Sequence, residues 1–315
     1  MSEADILIVG SGPAGCTAAI YAVRAGFKTL VLNGEAHGGQ LVRTHELENF
    51  PGFILPLSGY EVMEAMHKQC ARLGVQFAAE TVVKIEEHAK PFVVHCEGGR
   101  QITARAVIVA SGSAQMWLGL ESEKQFFGRG VSTCATCDGF FYRGKTVCVV
   151  GGGNKAFEEA LFLTKFCDKV YIVHRRDAFR ADKAEVDKAR ANPKIEFMIN
   201  SVVHAINGDD KGVSSITVRD INDKSLREIA LSGVFVSIGT TPQTDFLKGS
   251  SVKLTARGHV LVDAKNHTAV PGIFAAGDCA DEYHNQAVIA AGAGAKAAIE
   301  AVKYLNERPG GAKQP

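Results

Sequence analysis

Cys134 and Cys137, spaced as a CxxC, are the residues in this chain best suited to move electrons. Such a pair can close a small disulfide ring and lower the pKa of one thiol, which suits exchange with another disulfide. A zinc site would need two more ligands, and no second CxxC or CxxH stands in the sequence, so no metal is expected. Asp138 follows the pair directly. It could cap a helix or turn, or it could move the proton that disulfide cleavage requires. The residue types leave both roles open.

Two glycine-rich turns supply a second kind of chemistry. Gly10, Gly12 and Gly15 form a GxGxxG after the apolar run at residues 5–9, with Pro13 and Ala14 inside it. Glycines there let backbone approach a pyrophosphate while the following helix aims its amide groups at the charge. Glu35 stands twenty residues after Gly15, where a carboxylate would accept a hydrogen bond from a ribose hydroxyl. A similar turn, Gly151, Gly152, Gly153, Asn154 and Lys155, follows the apolar run at residues 146–150. Twenty-one residues after Gly153 the carboxylate is replaced by His174, Arg175 and Arg176, with Arg180 close behind. Guanidinium groups bind a phosphate monoester through paired, charge-assisted hydrogen bonds, so this second site favours NADP(H) over NAD(H). Two different nucleotide sites in one chain imply electron transfer between them.

These turns need strands and helices to hold them. The first has a helical stretch to residue 25 and a strand at 29–32; the second has a helix at 157–166 and a strand at 169–173. Strand-like pieces at 76–86, 92–96 and 106–109 close the first unit at Ala110, Ser111 and Gly112, and residues 233–238 close the second at Gly239. The chain then carries an apolar run at 272–276, Gly277, Asp278, and a helix of small residues over 286–305. The simplest parse inserts one nucleotide domain into another, with junctions near 112–115 and 242–246 that could act as hinges.

The composition agrees. The 315 residues carry 35 Lys plus Arg against 34 Asp plus Glu, a formal net charge of +1, which leaves no global basic field for nucleic acid. Glycine is abundant, at 33 residues. No apolar stretch reaches the ~18 residues of a membrane span, and no cationic region precedes the first apolar run, so a soluble, cytoplasmic protein is expected. Cys16, Cys70, Cys96, Cys148, Cys167 and Cys279 lie singly in apolar runs and are expected to be buried thiols.

The segment at 128–145, GRGVSTCATCDGFFYRGK, closely resembles the active-site segment of low-molecular-weight thioredoxin reductases. The likeness covers nearly the whole chain: residues 10–15, Gly38-Gly39-Gln40-Leu41, ENFPG at 48–52, HRRDAFRA at 174–181 and GIFAAGD at 272–278. It implies an α/β fold of two Rossmann-like nucleotide-binding domains, an NADPH domain (114–244) inserted into a discontinuous FAD domain (1–113 and 245–315). It implies FAD at the first turn and Glu35, with Gly39, Gln40, Leu41, Asn49, Val83, Ala110, Ser111, Gly112, Gly277, Asp278, Gln286, Ala287 and Val288 around it. NADPH would bind Gly151, Gly153, Asn154, Lys155, His174, Arg175, Arg176, Arg180 and Gly239. Matched by position, Cys137 would face the flavin, Cys134 would attack a thioredoxin disulfide, and Asp138 would be acid and base. A homodimer is implied too.

Some positions depart from the family pattern. Lys155 stands where a hydroxyl residue is usual, Thr240 where histidine is, and Asn285 where arginine is. Arg43 and His45 interrupt a threonine-rich flavin loop, and Met116 and Glu121 replace a basic residue and a proline. Glutathione-reductase-like enzymes carry their cysteine pair just after the first βαβ unit, where residues 35–41 have none. A ferredoxin-driven reductase or dithiol oxidase of the same fold would lack the basic run at 174–180. A nucleotide-binding module without catalysis would not turn over a disulfide.

Overall fold

A computed structural model describes residues 2–34, 37–44, 47–55 and 57–307. In chain order it contains β1 (Ser2–Val9), α1 (Pro13–Arg24), β2 (Thr29–Leu32), α2 (Gly59–Arg72), β3 (Gln76–Ala78), β4 (Val82–Glu86), β5 (Phe92–Cys96) and β6 (Gln101–Val109). After β7 (Ser113–Gln115) come α3 (Glu121–Gln125), β8 (Val131–Ser132), α4 (Ala135–Asp138), β9 (Thr146–Val150), α5 (Asn154–Leu163) and β10 (Lys169–Val173). They are followed by α6 (Lys183–Ala191), β11 (Ile195–Met198), β12 (Ser201–Asp209), β13 (Gly212–Asp220), β14 (Leu226–Ala230) and β15 (Gly233–Val236). The chain ends through β16 (Thr240–Pro242), β17 (Ile273–Ala275) and α7 (Ala287–Asn306). Contacts divide it into two compact units, Met1–Ala114 with Thr241–Pro315, and Gln115–Thr240.

The first unit is built on a sheet ordered β3-β2-β1-β6-β5-β4, with β17 beside the later half of β6. Its centre is parallel: β1 runs along both β2 and β6. Ile6, Leu7 and Ile8 are all fully buried, because helices or loops cover both faces of such a sheet and the strand must be apolar throughout. Ile6, Ile8, Val31 and Phe274 pack beneath α1 and α7, and Leu7, Phe92, Ile102 and Ile273 form the core of the opposite face. α2 starts at a reciprocal cap in which Ser58 Oγ accepts from the Glu61 N–H at 3.2 Å while Glu61 accepts from the Ser58 N–H at 2.7 Å.

The second unit has an all-parallel sheet, β11-β10-β9-β15-β8. On one face Val147, Val149, Phe157, Leu163 and Val186 join the strands to α5 and α6. On the other, Cys148, Val150, Val203, Ile216 and Val218 join them to the antiparallel sheet β12-β13-β14. The two crossings of the chain pair as a two-stranded ribbon, β7 with β16. Among the described residues no helix is long and apolar enough to cross a membrane.

In the first unit α7 lies so close to α1 that a Cβ on Gly294 would fall 2.1 Å from the Ala14 carbonyl oxygen, whereas one on Gly292 would meet nothing within 4 Å. Gly294→Ala should therefore cost roughly 1 to 3 kcal/mol by overpacking. Gly292→Ala should be neutral or stabilise by up to about 1 kcal/mol through helix propensity. Urea denaturation of the two variants side by side makes the comparison.

Candidate active site

The glycine turn of the first unit is shaped by close approach of backbone to backbone. Gly10 has φ of +109°, and a Cβ there would lie 2.2 Å from the Ala110 carbonyl oxygen; one on Gly15 would lie 1.9 Å from that of Gly10. The chain folds tightly enough for α1 to begin at Pro13, capped by Gly12, with no acidic residue in its first turn. Ala110 leads Ser111 and Gly112 away from the end of β6, its N–H donating to the Val9 carbonyl at 2.8 Å. Gly277 follows β17 and faces Ala14, whose Cβ would be 2.9 Å from a Cβ at that glycine. All three stretches leave the C-terminal ends of parallel strands, the edge where open α/β sheets bind ligands.

Side chains tie further segments to this edge. The Gln40 side-chain amide donates to the Ser113 carbonyl and, at 3.0 Å, to Ser113 Oγ, which in turn donates to Asp278 Oδ2 at 3.5 Å. Asn49 Nδ2 donates to Gln286 Oε1 at 3.2 Å, at the cap of α7, whose first residues are Ala287 and the exposed Val288. Gly39 and Leu41 belong with Gln40 to a short 3₁₀ turn, Gly39–Arg43. Val83 is an exposed residue at the register shift of β4. Glu35 and His45 lie outside the described residues. Asn33, just after β2, has Oδ1 buried with no hydrogen-bond partner among the described residues, while its Nδ2 meets His37 Nδ1 at 2.6 Å.

In the second unit, a Cβ on Gly151 would lie 2.3 Å from the Ser237 carbonyl oxygen, and α5 starts at Asn154 after Gly153, again with no acidic residue in its first turn. Gly152 is the point where the basic run docks. Its carbonyl accepts from the Arg180 N–H at 2.8 Å and the Ala181 N–H at 3.2 Å. The Asn154 and Asp182 side chains complete a clasp: Asn154 Nδ2 donates to Asp182 Oδ2 at 2.9 Å, and the Asp182 N–H to Asn154 Oδ1 at 2.7 Å.

His174 lies beneath this strap, 9% exposed, with Cε1 only 2.2 Å from where a Gly152 Cβ would be. Burial pushes its pKa down, against a hydrogen bond to Ala178. The neutral ring donates from Nε2 to the Ala178 carbonyl at 3.2 Å. Arg175, Arg176 and Arg180 are exposed and form no ion pair among the described residues. Lys155 sits in the first turn of α5, and Gly239, with φ of +116°, follows β15. Asp182 belongs to no motif of the sequence; its place just before α6 suggests a helix cap, yet its side chain makes no capping bond.

The dithiol lies in this same unit. Cys134 and Cys137 form a disulfide with Sγ atoms 2.09 Å apart, Cys134 capping α4 and Cys137 lying within it. Ser132, at the end of β8, donates from Oγ to Asp138 Oδ2 at 2.5 Å and accepts from the Cys134 N–H at 3.1 Å. Asp138 makes no side-chain cap to the turn Gly139–Tyr142 that follows it. Its carboxylate is instead held one residue from Cys137, where it could accept or deliver a proton. That charge, after burial, helps push the Tyr142 hydroxyl up to about 12.

Behind the loop stands Glu159, a buried carboxyl on α5 that no sequence motif selects. Phe140 and Phe141, just past the dithiol, are exposed. The other six cysteines are buried and free. Among them Cys16 donates to the Ser11 carbonyl at 3.2 Å, and a hydrogen bond with Cys70, then burial, pushes its thiol up. No group of three or more His, Cys, Asp or Glu among the described residues is placed to hold a metal ion.

Residues 4–294 match the pyridine nucleotide-disulphide oxidoreductase family. A thioredoxin reductase of Mycolicibacterium smegmatis is 45% identical over 307 residues, spanning 96% of this chain and 97% of the relative. One of Rickettsia conorii is 42% identical over 304 residues, spanning 96% and 98%. The solved structure of thioredoxin reductase from Giardia duodenalis superposes with a TM-score of 0.93 at 39% identity, covering 97% of this chain and all of that one. The resemblance read from the motifs holds along the length of the molecule. With a disulfide across its CxxC and two glycine turns at the carboxyl ends of parallel sheets, the chain belongs to the pyridine nucleotide-disulphide oxidoreductases, among the thioredoxin reductases.

Proposed function

We propose that this chain reduces a thioredoxin disulfide with electrons from NADPH, passed through FAD and the Cys134/Cys137 dithiol. The observation that carries this reading is the Cys134–Cys137 disulfide beside the Ser132-held carboxyl of Asp138. The thioredoxin reductases of Mycolicibacterium smegmatis and Rickettsia conorii supply thioredoxin as the partner. Exposed Phe140 and Phe141 beside the disulfide suit a protein surface better than a small disulfide. The resemblance also supports a homodimer, and the lack of a long apolar stretch in the sequence supports a cytoplasmic location.

FAD is assigned to the unit formed by Met1–Ala114 and Thr241–Pro315. The Ala14 and Gly15 amides in the first turn of α1, where no side chain caps the helix, fit a pyrophosphate, and Asn33 Oδ1, unpartnered among the described residues, fits a hydroxyl donor. NADPH is assigned to Gln115–Thr240, where exposed Arg175, Arg176 and Arg180 fit a 2′-phosphate. A ferredoxin-driven or oxidase variant would have no use for that strap. Held by the first unit, FAD would supply two-electron transfer between the pyridine nucleotide and the Cys134/Cys137 disulfide.

The remaining steps belong to the protein. Once the disulfide is opened, the Cys134 thiolate attacks one sulfur of the substrate disulfide, whose bond breaks and whose other sulfur leaves. Cys137, as thiolate, then attacks Cys134 Sγ, re-forming the intramolecular disulfide and releasing the second substrate sulfur. The proton given up by Cys134 and the one given up by Cys137 go to the two departing sulfurs, and in this reading Asp138 carries each in turn. Two electrons and two protons pass to the substrate.

Both Cys134→Ser and Cys137→Ser should abolish NADPH-driven thioredoxin reduction. Only Cys137→Ser should accumulate a covalent complex with oxidised thioredoxin, because Cys134 can attack but nothing resolves the product; mass spectrometry of the mixtures distinguishes them. Complexes of equal yield from both variants would contradict this division of labour between the two sulfurs.

Charge-assisted phosphate contacts contribute about 1.5 to 3 kcal/mol, so Arg175→Ala or Arg176→Ala should reduce the NADPH-to-NADH ratio of kcat/KM roughly tenfold or more. Asp182→Ala, which opens the clasp without removing an arginine, should raise KM for NADPH while leaving kcat near its original value. Steady-state kinetics with both donors test the three variants together.

A further inference from the structure

Glu159 is a buried titratable group that the disulfide-exchange steps do not use, yet it touches the backbone of the redox loop. Its Oε1 accepts from the Ala135 N–H at 3.5 Å, and its Oε2 accepts from Ser237 Oγ at 2.6 Å. Ala135 stands directly after Cys134 and is wholly buried; Ser237 follows β15 and is also buried. One carboxyl therefore ties the CxxC loop to the end of the strand behind it. Closing a disulfide requires both sulfurs to be brought together, and a loop already held has less conformational freedom to lose.

We propose that Glu159 is a positioning residue for the dithiol, holding the Ala135 amide in place while the disulfide is open so that Cys134 and Cys137 remain poised to close again. This rests on the dithiol reading of the proposed function. The role calls for an uncharged acid, because a carboxylate close behind the loop would oppose thiolate formation at the two cysteines. Burial, with Glu158 beside it, pushes the Glu159 carboxyl up, against Lys155 and its two hydrogen bonds. Asp138, in contact with the hydroxyl of Ser132, is left as the group that exchanges protons.

The test measures the closing equilibrium itself, with NADPH and thioredoxin absent. Purified holoenzyme is equilibrated in glutathione buffers, alkylated, and the open and closed forms counted by mass. Two protein thiols and one glutathione disulfide yield one protein disulfide and two glutathione thiols, so electrons and protons balance. Glu159→Leu should lower the closing constant tenfold or more, which for this two-electron couple is about 30 mV towards easier reduction. Ser237→Ala, which frees one end of the carboxyl, should lower it about threefold. Glu159→Gln, uncharged and of the same shape, should stay within about twofold of the parent.

An unchanged constant in Glu159→Leu overturns the proposal. So does Glu159→Gln shifting as far as Glu159→Leu, because the carboxyl's charge and not its placement would then matter. Should Glu159→Leu fail to fold, an unchanged constant in Ser237→Ala overturns it equally. Parent enzyme whose Cys134 and Cys137 never exchange with glutathione would defeat the dithiol reading itself, a result distinguishable from the others.

Discussion

Backbone amides can hold a phosphate only where no side chain stands in the approach, and both units are organised around that steric demand. In each, a strand ends and a helix begins within a few residues, and the space a Cβ would need is occupied by another carbonyl oxygen: Ala110 above Gly10, Ser237 above Gly151. The neighbouring strand is held at that distance by the parallel ladder, so the sheet core and the ligand cradle are parts of one packing arrangement. Further from the turn, Gly294 continues the theme by letting α7 rest on the backbone of α1 at Ala14. Absence of side chains, as much as their presence, defines the site.

Two carboxyls near the dithiol show how environment separates residues of the same chemistry. Asp138 is only partly buried, and its carboxyl accepts from the Ser132 hydroxyl. Glu159 is sealed beneath the loop, where burial favours its neutral form. Different surroundings within one small region are a means by which proteins divide labour between like groups. The basic strap shows a related economy. Its arginines stay in solvent because backbone and clasp bonds, at Gly152, Asn154 and Asp182, hold the loop without them.

Much of this was legible in the sequence where burial is two-sided. β2, β9 and β10, almost wholly buried, begin and end where the sequence places strands. The antiparallel sheet β12-β13-β14 was not, since one of its faces carries polar cross-strand contacts such as Asn207 to Ser215 and Thr217, and Ser215 to Glu228. α2 and α6, which expose charged faces, also lacked a signal strong enough to select them. At the site, CxxC and the glycine turns announce themselves because their chemistry is local. Ser132, Glu159 and Asp182 do not, because each is a common polar residue whose meaning comes from a partner: Glu159 bonds residues 24 and 78 positions away, and Asp182 one 28 positions away. Adjacency misleads at His174, which is continuous in sequence with the arginines but lies under Gly152 as their support.

The paired crossings carry a consequence for how such a molecule could arise and be taken apart. Where the chain enters and leaves the second unit, the Met116 N–H donates to the Gly239 carbonyl at 3.0 Å; on the other side of the crossing, the Gln243 N–H donates to the Gly112 carbonyl at 2.9 Å. An inserted domain with neighbouring ends can be acquired or removed without tearing its host, because the host's own cut ends already lie side by side. Because the backbones at 112 and 243 already meet, a bridge of about two or three residues would close the first unit into one uninterrupted chain if residues 115–240 were taken out.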